Sequence, residues 1–358
     1  MPYHHLNTLT VFPEKLAHNF SVLSSLHHDI NPVPVLKSNA YGHGMKIIAP
    51  LLHDYDVPFV CVDSLYEAYE LKKYGYKKDI LIMGYVDPRD IPRRRNFIYA
   101  ISDLDYATAL IKKYARVRLH LFLDTGMHRE GISDINTDHA DAVLTKIAPR
   151  IEGVMSHFST PDNRVVTETQ IASFEEQLGI LRKYRIYPRY THIAASGGLL
   201  AAHTYREISG SIARCGLAFY GYGSPELQPA LRLTTHLIQI KNIKKGETVG
   251  YDGTFIASHD MKIGVLPIGY HDGIDRRLSG VGVVMIRGQV CPIIGRVSMN
   301  ITTIDLSSID AQEGDEVLII DENRDSPVSL LRQSERANMI PYDMLVHLSK
   351  EMYRTTHE

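Results

Sequence analysis

Five side chains in this sequence could do chemistry, and each stands at or just past the end of an apolar run. Lys37 follows Val33-Pro34-Val35-Leu36, and Arg129 follows Asp124-Thr125-Gly126-Met127-His128 after Leu119-His120-Leu121-Phe122-Leu123. His157 follows Val154-Met155-Ser156, Ser196 follows Ile193-Ala194-Ala195, and Arg214 closes Ser211-Ile212-Ala213. A lysine at a strand end, with its stem against apolar walls, is poorly solvated in its charged form. Its amine is then a nucleophile of the kind that forms Schiff bases. Taken singly these residues say little. A strand-end lysine is more often a solvated surface group, and a lone His157 reads as a satisfied core histidine.

The elements that must position them repeat with a rhythm. Short apolar, β-branched segments suited to buried strands occur at Val33–Leu36, Phe59–Val62, Ile80–Gly84, Phe97–Ile101, Arg118–Leu123, Ile151–Met155, Thr191–Ala195 and Ser211–Arg214. Helical patterns separate most of them; Asp63-Ser64 and Ser102-Asp103 read as helix starts. Eight such strands predict a (β/α)8 barrel, whose chemistry sits at the carboxyl ends of its strands. From about Thr234 the chain turns rich in Val, Ile, Gly and Thr, with strands expected at 237–240, 249–251, 263–266, 282–286, 290–294, 301–304 and 317–320. That spacing predicts an all-β second domain. Two closing helices are expected, one capped by Ser326 with Pro327 at its first position and running to Ala337, the other from Tyr342 to Tyr353. The fold class is α/β: a barrel over 10–230 and a mostly-β domain over 231–358.

Composition narrows the function. The 358 residues are 44% hydrophobic and 22% charged, with net charge −2. This is ordinary globular composition, with no charge excess that would predict nucleic acid or an anionic membrane as partner. Arg93-Arg94-Arg95, the one basic run, reads as a solvated turn. No apolar run is long enough to span a bilayer, and Met1-Pro2-Tyr3-His4-His5 lacks the pattern of a signal peptide. Cys61, Cys215 and Cys291 stand far apart in apolar contexts, which reads as reduced core residues of a cytoplasmic protein. Of 18 histidines, the pairs His4-His5 and His27-His28 are taken as surface pairs, and no metal site is expected.

With these residues in place the chain resembles the alanine racemase family. Lys37-Ser38-Asn39-Ala40-Tyr41-Gly42-His43-Gly44 is similar to the family's pyridoxal phosphate (PLP) lysine motif. Asp124–Arg129, Ser156-His157-Phe158, Arg214–Gly221, Pro267–Tyr270 with Asp272-Gly273, and Gly295–Met299 are similar to further family blocks, in family order over nearly the whole chain. The resemblance implies a PLP-binding barrel and a C-terminal β domain that residues 1–9 join, assembled as a head-to-tail homodimer. It also implies interconversion of L- and D-alanine for peptidoglycan.

The family's roles carry over by position. Lys37 would hold PLP through its amine and act as one catalytic base. Tyr251 would be the second base, acting across the dimer on the opposite face of the substrate. An ordinary tyrosine, with a pKa of about 10, is a poor base near neutrality, so neighbours must favour its phenolate; His157 and Arg214 match the residues that do so. Arg214 would face the pyridine nitrogen. Tyr41, Ser196, Gly216, Leu217 and Tyr342 match positions that cradle the phosphate. Arg129 and Met299 would meet the substrate carboxylate, and Tyr270 would line the mouth of the site.

Three features depart from the pattern. Phe122 stands where many members have a lysine that becomes carbamylated and orients the arginine. Asn300 stands where an aspartate is usual, and the end of the chain lacks the usual Arg-Val-Pro-Arg run. Phe122 and Asn300 keep open a racemase for serine, lysine or several amino acids. A non-catalytic PLP-binding homologue is argued against by the β domain and Tyr251. A barrel-fold decarboxylase is argued against by the missing cysteine–aspartate pair near the C-terminus.

Overall fold

The structure is a computed structural model that describes residues 4–202 and 210–357. It contains two compact units. One holds Ala17–Lys37 and Ile48–Leu227; the other holds the chain up to Leu16, the short segment Ser38–Ile47, and everything from Gln228 onward.

The first unit is a parallel barrel. Six strands (Phe59–Val62, Asp79–Ile82, Phe97–Ile101, Arg118–Phe122, Ile151–Met155 and Tyr190–His192) pair in sequence order, and Asn31–Pro34 pairs with Ile212–Cys215. Single bridges, Val35 to Cys61 and Ala195 to Arg214, join the pair to both edges of the six and close the ring. Strands such as Phe59–Val62 and Phe97–Ile101 are buried at every residue, because one face looks into the barrel and the other onto helices. The helices begin where short polar side chains catch free N–H groups. Ser64 and Glu67 form a reciprocal box ahead of Leu65–Lys73, and Asp103, Thr137 and Asn163 cap the helices at 104, 138 and 164. All three cysteines are buried and free.

The second unit is built on a nine-stranded sheet. Within it Thr8–Val11 pairs antiparallel with Leu231–His236 and parallel with Tyr353–Thr356. The N-terminal arm of this unit runs to Leu16.

Three local expectations are corrected. Ser326 does not cap a helix running to Ala337: the helix is Leu330–Arg336, capped by Ser329, whose hydroxyl accepts from the Arg332 N–H. Ser326 instead accepts from the Val328 N–H in the turn before it. The last helix is only Pro341–Val346, and Tyr353 opens a strand. The open edge of Thr8–Val11 supplies a backbone partner that a longer helix would have left unpaired. Tyr251 is not on a strand. Thr248–Val249 pairs with Phe255–Ile256, and between them the chain turns through Gly250, Asp252 and Gly253, all with positive φ. An apolar cluster of Val249, Ala257, Met261, Ile263 and Ile294 anchors this hairpin.

Candidate active site

Lys37 ends the first barrel strand's run, and its side chain is 42% exposed with Nζ 4.0 Å from Asp63 Oδ1. The backbone just after it is unusual. Ser38, Asn39, Ala40 and Tyr41 all sit near φ +50 to +56°, one turn of left-handed helix closed by the Gly42 N–H donating to the Ser38 carbonyl at 3.1 Å. Each non-glycine residue in that conformation costs about 1–2 kcal/mol. Surrounding contacts in the β unit hold it. Asn39 Oδ1 accepts from the Met45 N–H at 2.8 Å and so starts the next helix. The Arg354 guanidinium donates to the carbonyls of Gly42, Ser349 and Met352. A Cβ at Gly42 would lie 2.0 Å from the Leu345 carbonyl oxygen, so only glycine fits there. Arg354 was not singled out from the sequence.

Arg129 is presented by a turn built around Asp124. One carboxylate oxygen accepts the N–H groups of Gly126, Met127 and His128 at 3.0–3.1 Å, and the other meets His128 Nδ1 at 2.9 Å. Burial alone would raise the Asp124 pKa, but these donors hold it below the usual carboxylate value. Phe122, Asp124, Met127, Arg129, Glu130 and His157 line one small crevice, too narrow to admit a water molecule. Phe122 is buried there, where no charge can come from it to orient the arginine.

Arg214 lies on the barrel strand Ile212–Cys215 and is 4% exposed. Its Nη2 donates to the Ser156 carbonyl at 2.6 Å and to His157 Nδ1 at 3.0 Å; its Nη1 donates to the His192 carbonyl and to His192 Nδ1, both at 2.8 Å. Burial draws its pKa down to about 10, which still leaves it charged at neutral pH. His157 is pushed down to about 3 by burial and then by Arg214, Arg129 and Lys37, so it is neutral. The same field places Arg214, Arg129 and Lys37 within electrostatic reach of His157. Gln170 fixes the backbone of this corner, donating to the His157 carbonyl at 3.0 Å. Ser196 Oγ accepts from the Ala218 N–H at 3.2 Å, beside Gly216 and Leu217.

The barrel unit thus brings Lys37, Arg129, His157, Ser196, Arg214, Gly216 and Leu217 to the carboxyl ends of its strands. The β unit carries the others. Tyr41 is buried with its ring 6.1 Å from that of Tyr342. The Tyr270 and His271 N–H groups donate to the carbonyls of Ser298 and Met299, so the Tyr270 and Met299 loops are stitched together. Tyr251 is 66% exposed, on a turn braced by an ion pair between Asp252 and Arg296 at 3.0 Å. Chemically, the barrel residues offer three different anchors: an amine, a buried guanidinium and a hydroxyl at a loop. A group carrying an aldehyde, a ring nitrogen and a phosphate fits that donor set. Elsewhere, His27, His28 and Asp29 bring ligand atoms within 4.8 Å of one another, with His28 and Asp29 at the surface.

Comparison with known proteins agrees over the whole length. The family models for the alanine racemase N-terminal and C-terminal domains match residues 12–225 and 230–356. The chain is 34% identical to an alanine racemase of Aquifex pyrophilus, covering 97% of both chains, and 32% identical to one of Streptococcus suis, covering 98% of both. Among solved structures it resembles the alanine racemase of Bacillus anthracis with bound L-Ala-P at a TM-score of 0.91 and 28% identity, covering 100% of this chain and 96% of that one. It resembles the E. faecalis enzyme at 0.89 and 28%, with both chains fully covered.

Proposed function

The chain belongs to the alanine racemase family, and from that premise we propose that it interconverts L- and D-alanine with PLP, supplying D-alanine for peptidoglycan. The observation that carries the reading is the hydrogen bond from buried Arg214 to His157, within electrostatic reach of Lys37 in a chain that holds both family domains. Lys37 anchors the cofactor. Ser196, whose hydroxyl hydrogen stays free to donate while Oγ accepts from Ala218, serves the phosphate with Gly216, Leu217, Tyr41 and Tyr342. PLP, when bound, supplies the electron sink that lets a substrate Cα–H bond ionise.

The protein's own part is to move one proton on each face of that carbon. Lys37 takes or returns it on one face, and Tyr251 of a second copy does so on the other. Arginine can only donate hydrogen bonds, so His157 Nδ1 accepts from Arg214 and its hydrogen lies on Nε2. That N–H is a donor for the Tyr251 phenolate oxygen, and a hydrogen bond to an ionised acceptor is roughly twice as strong as a neutral one. Arg214, a fixed charge, gives the ring nitrogen no proton to share in return. Arg129, with Met299, holds the substrate carboxylate, and Tyr270 lines the mouth of the site. Head-to-tail dimerisation belongs to the same reading, and the exposure of Tyr251 on the single chain supports it.

Phe122 and Asn300 support the second reading, a broader or shifted amino-acid range. Racemisation of L- and D-alanine, serine, lysine and glutamate, followed by chiral chromatography with PLP supplied, distinguishes the two. Fast turnover confined to alanine is expected; turnover of a longer amino acid in preference to alanine assigns the second reading, and no turnover of any removes both.

A further inference from the structure

Below the Arg214–His157 pair a line of polar groups continues down the inside of the barrel. His192 Nε2 and His120 Nδ1 are 2.8 Å apart, and both rings are fully buried. His120 Nε2 lies 3.7 Å from Glu152 Oε1. At that distance the two do not hydrogen-bond, and neither buried atom has a hydrogen-bond partner among the described residues; what joins them is the charge of the carboxylate facing the ring. The other oxygen of Glu152 accepts from Arg118 Nε at 2.8 Å, and Arg118 Nη1 also reaches Asp79 at 2.6 Å.

The direction of the line follows from its ends. Arg214 can only donate, so His192 Nδ1 accepts and the His192 hydrogen sits on Nε2. That hydrogen goes to His120 Nδ1, which places the His120 hydrogen on Nε2, the ring nitrogen that lies 3.7 Å from the Glu152 carboxylate. Burial keeps both rings neutral. It outweighs the pull of Glu152 on His120, and it acts with the positive charge of Arg214 on His192. Burial would raise the Glu152 pKa as well, but His120 and Arg118 more than offset this and keep it ionised.

The walls are shaped for the same arrangement. Phe59 meets His120 edge-on at 5.3 Å. On the adjoining strand residue 153 is glycine, and a Cβ there would lie 2.5–2.6 Å from the His120 ring atoms. The strand is therefore hollowed at the place where the imidazole crosses it.

We propose that Glu152 is a positioning residue for Arg214. It acts through His120 and His192: with Arg214 donating at one end and the carboxylate facing His120 at the other, the two rings keep one order of donors and acceptors, so that the ring-facing guanidinium is held in one orientation and its charge is partly balanced from the far end of the barrel. This rests on the reading of the site as a racemase only for its effect on turnover; the tautomers can be read in the protein without cofactor.

The test is nitrogen-15 NMR of histidine- and arginine-labelled protein at neutral pH. In the unaltered chain His120, His192 and His157 are expected as Nε2–H tautomers, and finding His120 or His192 as Nδ1–H overturns the proposal without any variant. In Glu152→Gln the signals of His192 Nε2–H and of the Arg214 guanidinium are expected to move, although neither touches residue 152. Movement confined to His120 and Arg118 overturns it. In the holoenzyme the same variant is expected to lower kcat about tenfold, the lower end for a lost outer partner, with KM changed less than twofold and a shifted absorbance of the bound cofactor. Loss of turnover with the NMR signals of His192 and Arg214 unmoved counts against the relay. Unmoved turnover with those signals shifted removes the racemase reading of Arg214 and leaves the relay standing.

Discussion

A guanidinium cannot accept a hydrogen bond, and in this barrel that restriction orders three imidazoles at once. His157 and His192 each present Nδ1 to Arg214, and so each turns its N–H away, one toward the mouth of the site and one into the barrel. Lys37 is the complementary case, since its amine stays reachable at the strand end, 4.0 Å from Asp63 Oδ1. Replacing it with alanine is expected to remove the long-wavelength absorbance of bound PLP and to lower racemisation at least a thousandfold, an order usual for loss of a covalent anchor that is also a base. A variant that keeps the visible band takes Lys37 out of that role.

Among the elements, the left-handed turn Ser38–Tyr41 sets where the chain goes after Lys37. Its cost is met by Arg354, by Asn39 and by the space left at Gly42. Ala40 is fully buried within it at φ +55°. Ala40→Gly gives up about 0.8 kcal/mol of buried methyl but relieves about 1 kcal/mol of backbone strain, so its thermal midpoint is expected within 2–3 °C of the parent, on the order expected for a balanced change in a chain of this size. Ala40→Val adds a β-branched side chain where no such residue sits easily and is expected to destabilise by more than about 2 kcal/mol. Equal melting of the valine variant and the parent in differential scanning calorimetry tells against a left-handed turn.

At the scale of the whole molecule two outcomes follow. If Tyr251 serves the site of a second copy, then Lys37→Ala and Tyr251→Ala proteins, each inactive, regain activity when unfolded and refolded together. Half of the dimers are mixed and each mixed dimer has one complete site, so roughly a quarter of the parent activity is expected. No recovery, with mixed dimers demonstrated by mass, places Tyr251 at its own chain's site. The second outcome concerns pH. Burial depresses His43 to about 4 and His157 to about 3, and lowers His120 and His192 too. In the unfolded chain such groups take up protons near pH 6.5. The folded state does not, so their contribution is full above that pH. It is lost as pH falls toward each folded value, at about 1.4 kcal/mol per pH unit per group. The unfolding midpoint of the cofactor-free protein is expected to be flat from pH 8 to 7 and to drop steeply below 6, with His157→Asn showing a shallower drop. A midpoint unchanged between pH 7 and 5 contradicts the buried neutral histidines.

The residue types and their spacing determined a great deal alone. Strand-length apolar runs punctuated by polar residues fixed eight barrel strands within a residue or two at most ends, since a strand buried on both faces leaves an uninterrupted apolar record. Lys37, Arg129, His157, Ser196 and Arg214 were legible because polar residues at strand ends break that record. Tertiary structure decided the rest, because it depends on what lies across space. Thr8–Val11 joins the distant sheet because Leu231–His236 offers it a ladder, and Tyr353 becomes strand rather than helix because Thr8–Val11 in turn has an edge to fill. Four consecutive left-handed residues have no propensity signal, since only the contacts of Arg354 and Leu345 make them tolerable. His120, His192 and Glu152 looked like strand residues among others. They became one line of donors and acceptors only when a closed barrel put three separate strands around one axis.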